Sequence, residues 1–196
     1  MSAKSSGRWQ FYLLIILFFG PLLVATWLYF GTSIRPSGQT HHGNLLDPVR
    51  PLPAATRWYT PNGDIAADLS DELWTLLQFV PDPCDEACQN DLYRSRQMWL
   101  ALDRRRVRVQ RIAIVANEAE ARALADIAQE ADPNLKLRVV APDDPLRDFL
   151  RDPAHPQGTF YVIDPIGNWV LWYSPDTDLR DIHTDFKKLL RLSKIG

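Results

Sequence analysis

Apolar positions in this chain fall into three patterns: one long uncharged run near the start, short continuous blocks, and stretches with a helical period. The blocks Leu73–Val80 and Val107–Ala116 have the length and residue types of buried strands. Between them, 85–103 repeats as an amphipathic helix, with Cys88, Leu92, Trp99 and Leu102 on one stripe and Ser95 its polar member. Strand, helix and strand in this order predict a right-handed unit with parallel strands. Asn117 caps a second helix, with Glu120 three residues on in a capping-box-like start. Ala123, Leu124, Ile127, Ala128 and Ala131 supply its buried face. A short strand over 135–140 leads into a proline-rich loop, 141–158. Phe160–Ile163 and Trp169–Tyr173, joined by Asp164-Pro165-Ile166-Gly167-Asn168, read as an antiparallel hairpin. The last helix, 178–192, buries Leu179, Ile182, Phe186, Leu189 and Leu190.

Before this alternating region the pattern changes twice. Phe11–Phe30 carries no charge and, at about 1.5 Å per residue, is long enough to cross a ~30 Å hydrocarbon core. Trp9, Trp27 and Tyr29 flank it as interfacial anchors would, and Gly20-Pro21 is tolerated in a membrane helix. A cleaved signal peptide, cut near Gly31-Thr32-Ser33, is the rival. Signal h-regions run only to ~7–15 residues, so a retained anchor is preferred. Residues 31–56 hold Pro36, Pro48, Pro51 and Pro53 and read as a semi-extended linker. Trp58–Ile65 reads as a short hairpin turning at Pro61-Asn62-Gly63. The expected plan is a cytoplasmic tail over 1–10, an anchor over 11–30, a linker over 31–56 and a globular α/β domain over 57–196. Lys4 and Arg8 orient the N-terminus to the cytoplasm, against a single Arg35 beyond the span. In a bacterial inner membrane the domain is then periplasmic, where disulfides are permitted.

Composition narrows the function classes. Apolar residues make up 46%, enough for a proper core. The net charge is −2, and −4 once Lys4 and Arg8 are set aside, so no basic excess points to nucleic acid. The run Arg104-Arg105-Arg106, with Arg108 and Arg111, reads as a solvated face; docking to an acidic partner or to lipid headgroups is the rival. His41-His42 reads as a solvated linker pair and His183 as a structural histidine. Trp169, Trp172 and Tyr173 read as alternating sheet packing.

The chemistry concentrates at the only two cysteines, Cys84 and Cys88, spaced C-x-x-x-C where the first strand gives way to the helix. Helix N-termini favour thiolate over thiol, while Asp85 and Glu86 oppose it and stabilise the helix start instead. Side chains at i and i+4 of a regular helix have Cβ atoms ~5–6 Å apart, and a disulfide needs ~3.5–4.5 Å. A bond between them requires Cys84 to stand off the helix, which Pro83 allows. A structural staple is the bland alternative, though so short a loop gains little from closure, well under the ~3 kcal/mol of a fifteen-residue loop. Two soft sulfurs and an imidazole suit Cu(I), and no hard-oxygen cluster suits Ca²⁺ or Mg²⁺.

The order of elements, with a cysteine motif opening the first helix, resembles the thioredoxin-like fold over about 58–196. C-x-x-x-C behind one anchor is similar to the Sco (SenC-type) proteins of cytochrome c oxidase assembly. Tyr161–Gly167 (Y-V-I-D-P-I-G) matches that family's Y-L-I-x-P-x-G, and His155 stands shortly before it. The resemblance implies Cys84, Cys88 and His155 as Cu(I) ligands. It also implies, as partners, a cytochrome c oxidase subunit or its copper-site assembly proteins. Asp85 and Gln89 stand where the family usually has proline after each cysteine, and Asp152-Pro153-Ala154-His155 loosens its Asp-His pair. The resulting expectation is an assembly factor or copper chaperone more than a metabolic enzyme. The alternatives are a thiol–disulfide oxidoreductase, with Cys84 attacking and Cys88 resolving, and a non-catalytic binding module with a structural disulfide.

Overall fold

The structure, a computed structural model, describes residues 6–31, 41–66, 72–150 and 155–194, with only the backbone of 6, 7 and 127–130. Lys4, Thr32, Ser33, Arg35, Pro36, Asp152, Pro153, Ala154 and the side chains of Ile127 and Ala128 lie outside the described residues. Two units separate, Met1–Thr40 and His41–Gly196. The first holds α1 (Ser6–Gly31), apolar on all sides, with Pro21 inside it. Its Arg8–Gly31 stretch is long and apolar enough to cross a membrane.

The second unit is a six-stranded mixed sheet. In chain order its elements are β1 (Asn44–Pro51), β2 (Trp74–Phe79), α2 (Glu86–Ala101), a 3-10 turn (Asp103–Arg108) and β3 (Val109–Val115). Then come α3 (Glu118–Ala131), β4 (Leu135–Val139), α4 (Pro145–Leu150), β5 (Phe160–Ile163), β6 (Asn168–Tyr173) and α5 (Leu179–Leu192). The strand order is β1-β6-β5-β2-β3-β4. β2, β3 and β4 are parallel, as two right-handed crossovers through α2 and α3 require. β5, β6 and β1 add antiparallel neighbours on the other side of β2. This is the thioredoxin-like arrangement read from the sequence.

The two sheet faces bury different partners. On one, Leu76, Val109, Phe160 and Val162 pack with Met98 of α2 and with Ile182 and Phe186 of α5. On the other, Leu77, Ile112, Ile114 and Trp169 pack under Leu146 and Leu150 of α4 and under Trp58. Strands buried on both faces read as continuous apolar blocks, which is why β2 and β3 stood out in the sequence.

Several expectations change. The stretch read as a linker contains β1, whose start is held by a buried carboxylate on α5. Asp185 accepts the backbone N–H groups of His42 (2.7 Å) and Gly43 (3.1 Å) and the Tyr173 hydroxyl (3.3 Å). His42 is therefore no loose linker histidine; its ring faces Asp185 and Asp181. His41 bonds to the Gly43 carbonyl. The proline-rich loop contains α4, with Pro145 in its first turn, where its missing N–H costs nothing. Around Asn62-Gly63 the chain makes a tight turn with single bridges at Tyr59 rather than a full hairpin. On α3 it is Ala121 that is buried, while Ala123 and Ala131 are exposed. Of the arginine run, Arg111 is buried rather than solvated, and Arg108 donates to the Leu190 and Ser193 carbonyls at the end of α5. His183 bonds to the Ala101 carbonyl, the structural role expected of it.

A further change lies in β6. Ile163 pairs with Trp169 but Val162 pairs with Leu171, so Val170 is an extra, bulged residue. The simple alternation expected of Trp169, Trp172 and Tyr173 therefore fails. Trp169 and Trp172 share one face and Tyr173 packs into the other.

Candidate functional site

β2 ends at Phe79, and the loop through Pro81, Asp82 and Pro83 carries the chain to Cys84, two residues before α2 begins. Asp85 is the N-cap: its backbone is extended and its carboxylate accepts the Cys88 N–H at 2.9 Å. Cys84 thus stands off the helix while Cys88 lies in its first turn. The two sulfurs are joined in a disulfide across a Cα–Cα distance of 5.4 Å. Cys88 is 4% exposed and packs against Val80, Ala113 and Ala121; Cys84 is half-buried and reaches the surface. The inner sulfur is protected and the outer one is open to attack.

Cys84 opens onto a cavity of about 700 Å³ between α2 and α3. Leu92, Ala119, Ala123, Leu124 and Leu135 give it apolar walls. Beneath it Arg111, 1% exposed, donates to Asp132 (2.7 Å), Ser95 Oγ (2.7 Å) and the Leu92 carbonyl (3.1 Å). Burial lowers the Arg111 pKa, with Asp132 working against that shift.

At the cysteine end the cavity is acidic. Asp82 and Glu120 line it, and Asn117 Nδ2 donates to Asp82 at 3.2 Å. Asn117 caps α3 by accepting the Glu120 N–H at 2.9 Å, but Glu120 does not complete the capping box. Both its carboxylate oxygens are shielded from solvent and no side chain donates to either. Burial raises the Glu120 pKa and the Asp82 charge raises it further, with partial relief from the Ala116 backbone. Its spacing from Asn117 predicts a capping role for this residue. A glutamate set between alanines in the first turn is too ordinary a pattern to mark an isolated carboxylate.

His155 lies elsewhere. Its ring centroid is 4.3 Å from that of Trp172, 5.2 Å from Trp169 and 5.6 Å from Tyr161, on the face opposite α2. It borders a second cavity of about 330 Å³ with Val80 and Pro81, on the other side of the cysteine loop. The structure brings Cys84 and Cys88 together and leaves His155 in this aromatic nest. Among the described residues, no three His, Cys, Asp or Glu side chains are gathered for a metal.

The family model for transmembrane-like, thioredoxin-like C-terminal domains matches residues 74–193, and that for transmembrane-like N-terminal domains matches residues 2–32. The chain belongs to this transmembrane-like, thioredoxin-like family. No curated protein sequence matches it. Among solved structures, apo Sco1 from Thermus thermophilus superposes with a TM-score of 0.60 at 19% identity, covering 78% of this chain and 99% of that one. ScoI from Arabidopsis thaliana with copper bound gives 0.59 at 15% identity, over 74% and 99%. BsSco, a member of the Sco family of cytochrome c oxidase assembly proteins in which a disulfide switch is identified, gives 0.56 at 15% identity, over 76% and 99%. At these identities the likeness is one of fold. The chain shares its fold with these structures, and its N-terminal family match covers the apolar helix.

Proposed function

We propose that this protein is a membrane-anchored assembly factor for cytochrome c oxidase that handles Cu(I), or the thiol state of the oxidase's copper site, through Cys84 and Cys88. The observation that carries this reading is the asymmetric disulfide at the head of α2, one sulfur buried and the other open to a cavity. The copper-bound and disulfide-switch Sco structures of the same fold support it. In the exchange step the reduced Cys84 thiolate attacks a partner disulfide and forms a mixed disulfide, releasing one partner thiolate. Cys88 then loses its proton and attacks the Cys84 sulfur, releasing the second partner sulfur. Two electrons pass to the partner, which leaves as a dithiol, and the chain returns to the disulfide seen here. An external dithiol must then reduce the pair for another cycle.

Copper in this reading is cargo. The disulfide offers no thiolate, so Cu(I) is held only by the reduced pair, whose two soft sulfurs suit it. His155 is the third ligand that the Sco resemblance implies, and to serve it must leave the ring of Tyr161, Trp169 and Trp172. The tethered domain works in the periplasm of a bacterial inner membrane, with Lys4 and Arg8 on the cytoplasmic side.

Two measurements on the full chain in detergent test the reading. The first is the reduction potential of Cys84–Cys88, expected above about −300 mV, the level below which structural disulfides resist glutathione. The second is an anaerobic Cu(I) titration of the reduced chain, expected to reach one equivalent and to be lost in Cys84→Ser. A potential below that level together with no copper binding rejects the proposal.

A further inference from the structure

The cavity that begins at Cys84 is an open groove with mixed chemistry. Its length is apolar, lined by Leu92, Leu124 and Leu135, and α3 presents only alanines at Ala119 and Ala123, so the facing helices leave room between them. At about 700 Å³ it falls within the ~300–1,000 Å³ of ordinary binding pockets. The far end holds Arg96, already 3.6 Å from Asp132. The near end holds Asp82 and Glu120, and the sequence adds Asp85 and Glu86 beside Cys84. Glu120 is the telling residue. A carboxylate screened from water, with no side-chain donor and only partial relief from the Ala116 backbone, is a standing cost, and that cost falls when something brings a further donor to it.

We propose that this groove docks an extended partner segment that carries a cysteine, an apolar side chain and a lysine or arginine, the cation meeting Glu120 and Asp82. The inference deepens the exchange reading of Cys84–Cys88, on which it rests, by naming the substrate class. A partner sulfur that reaches Cys84 brings its neighbouring residues to the mouth of the groove, because Cys84 is itself part of the lining. The apolar walls take the side chain beside the cysteine, and the acidic end selects a basic neighbour. A second copy of this chain fits poorly, since its own cysteines are flanked by Asp82, Asp85 and Glu86. Anionic lipid headgroups meet the same repulsion.

The test uses the full chain in detergent and two fluorescent nine-residue peptides with serine in place of cysteine. One carries Leu-Ser-Gly-Lys and the other Leu-Ser-Gly-Glu, each in a Gly/Ser frame. By anisotropy the lysine peptide should bind at least about 10-fold tighter than the glutamate peptide, the scale of one charge-assisted hydrogen bond. Glu120→Gln should remove most of that preference. Ala123→Trp, at an exposed helical position, should fill the groove and weaken the lysine peptide by a similar factor. Equal binding of the two peptides, a preference indifferent to both substitutions, or displacement of the lysine peptide by phosphatidylglycerol vesicles overturns the proposal. So does self-association of the chain that Glu120→Gln abolishes. Because the probe lacks sulfur, an inert disulfide with this pattern intact rejects only the exchange reading. A reactive disulfide without the pattern rejects only the groove.

Discussion

The Arg111 guanidinium and the Asp132 carboxylate meet at 2.7 Å beneath the cleft between α2 and α3, tying β3 to the end of α3. Removing Asp132 strands a buried cation, a loss of about 3–5 kcal/mol. Asp132→Ala should lower the urea midpoint strongly. The joint change Arg111→Met with Asp132→Leu should cost much less, because a matched apolar pair leaves no charge without a partner. Equal losses in the two variants would show that the pair contributes shape alone.

Asp185 organises the opposite end of the domain. Asp185→Ala leaves the His42 and Gly43 amides and the Tyr173 hydroxyl without their acceptor, for an expected loss of about 2–3 kcal/mol. Hydrogen exchange at His42 and Gly43 should accelerate more than exchange in β3. Burial, and secondarily the Asp185 charge, push the Tyr173 pKa far up, so its hydroxyl stays a neutral donor throughout the folded range. Gly43→Ala should be comparably damaging, since an added Cβ would lie 2.5 Å from the Tyr173 ring.

Glu120 predicts a pH dependence with a definite sign. Its pKa in the folded chain lies above the ordinary value of 4.5, so the folded state holds this proton more tightly than the unfolded state. The associated stability is fully present below about pH 4.5 and is lost as pH rises through the folded pKa. Glu120→Gln should therefore melt higher than the parent at pH 7 to 8, and the gap should close as pH falls toward 4.5. A gap independent of pH would mean that the carboxylate is solvated.

After reduction, the two cysteines should differ in reactivity. Cys84 lies on the cavity wall, whereas Cys88 is 4% exposed under Val80 and Ala121. Iodoacetamide followed by peptide mass mapping should label Cys84 at least about 10-fold faster, since access and thiolate character together set the rate. Asp85→Ala should cost about 1 kcal/mol through the lost helix cap. Equal labelling of both sulfurs would remove the division into attacking and resolving roles.

What the sequence could show was set by how local the cause is. β2, α2, β3, the β5–β6 hairpin and α5 each carry their signal within their own residues, and Cys84 was placed off the helix by Pro83 and the disulfide's reach. β1 was hidden because Asn44–Pro51 is an exposed edge strand with prolines, and its hold on the domain comes from Asp185, more than a hundred residues away. α4 is a short helix inside a proline-rich stretch, and only its contact with the sheet buries Leu146 and Leu150. Glu120 looked like half of a capping box because the pattern shows spacing but not which oxygen finds a donor. His155 could be singled out only by its distance from Tyr161, and distance along the chain does not say which rings its loop folds against.

Val170, the extra residue in β6, bears on how this protein is compared with others. Past that point, two chains aligned letter by letter slip by one place, and a tryptophan counted as facing one helix layer belongs to the other. The Trp172 wall beside His155 depends on that slip: in an uninterrupted ladder Trp172 would point away from Trp169 and the imidazole would lose it. A histidine placed here by counting along the chain therefore has ring neighbours that an unbroken strand would not give it.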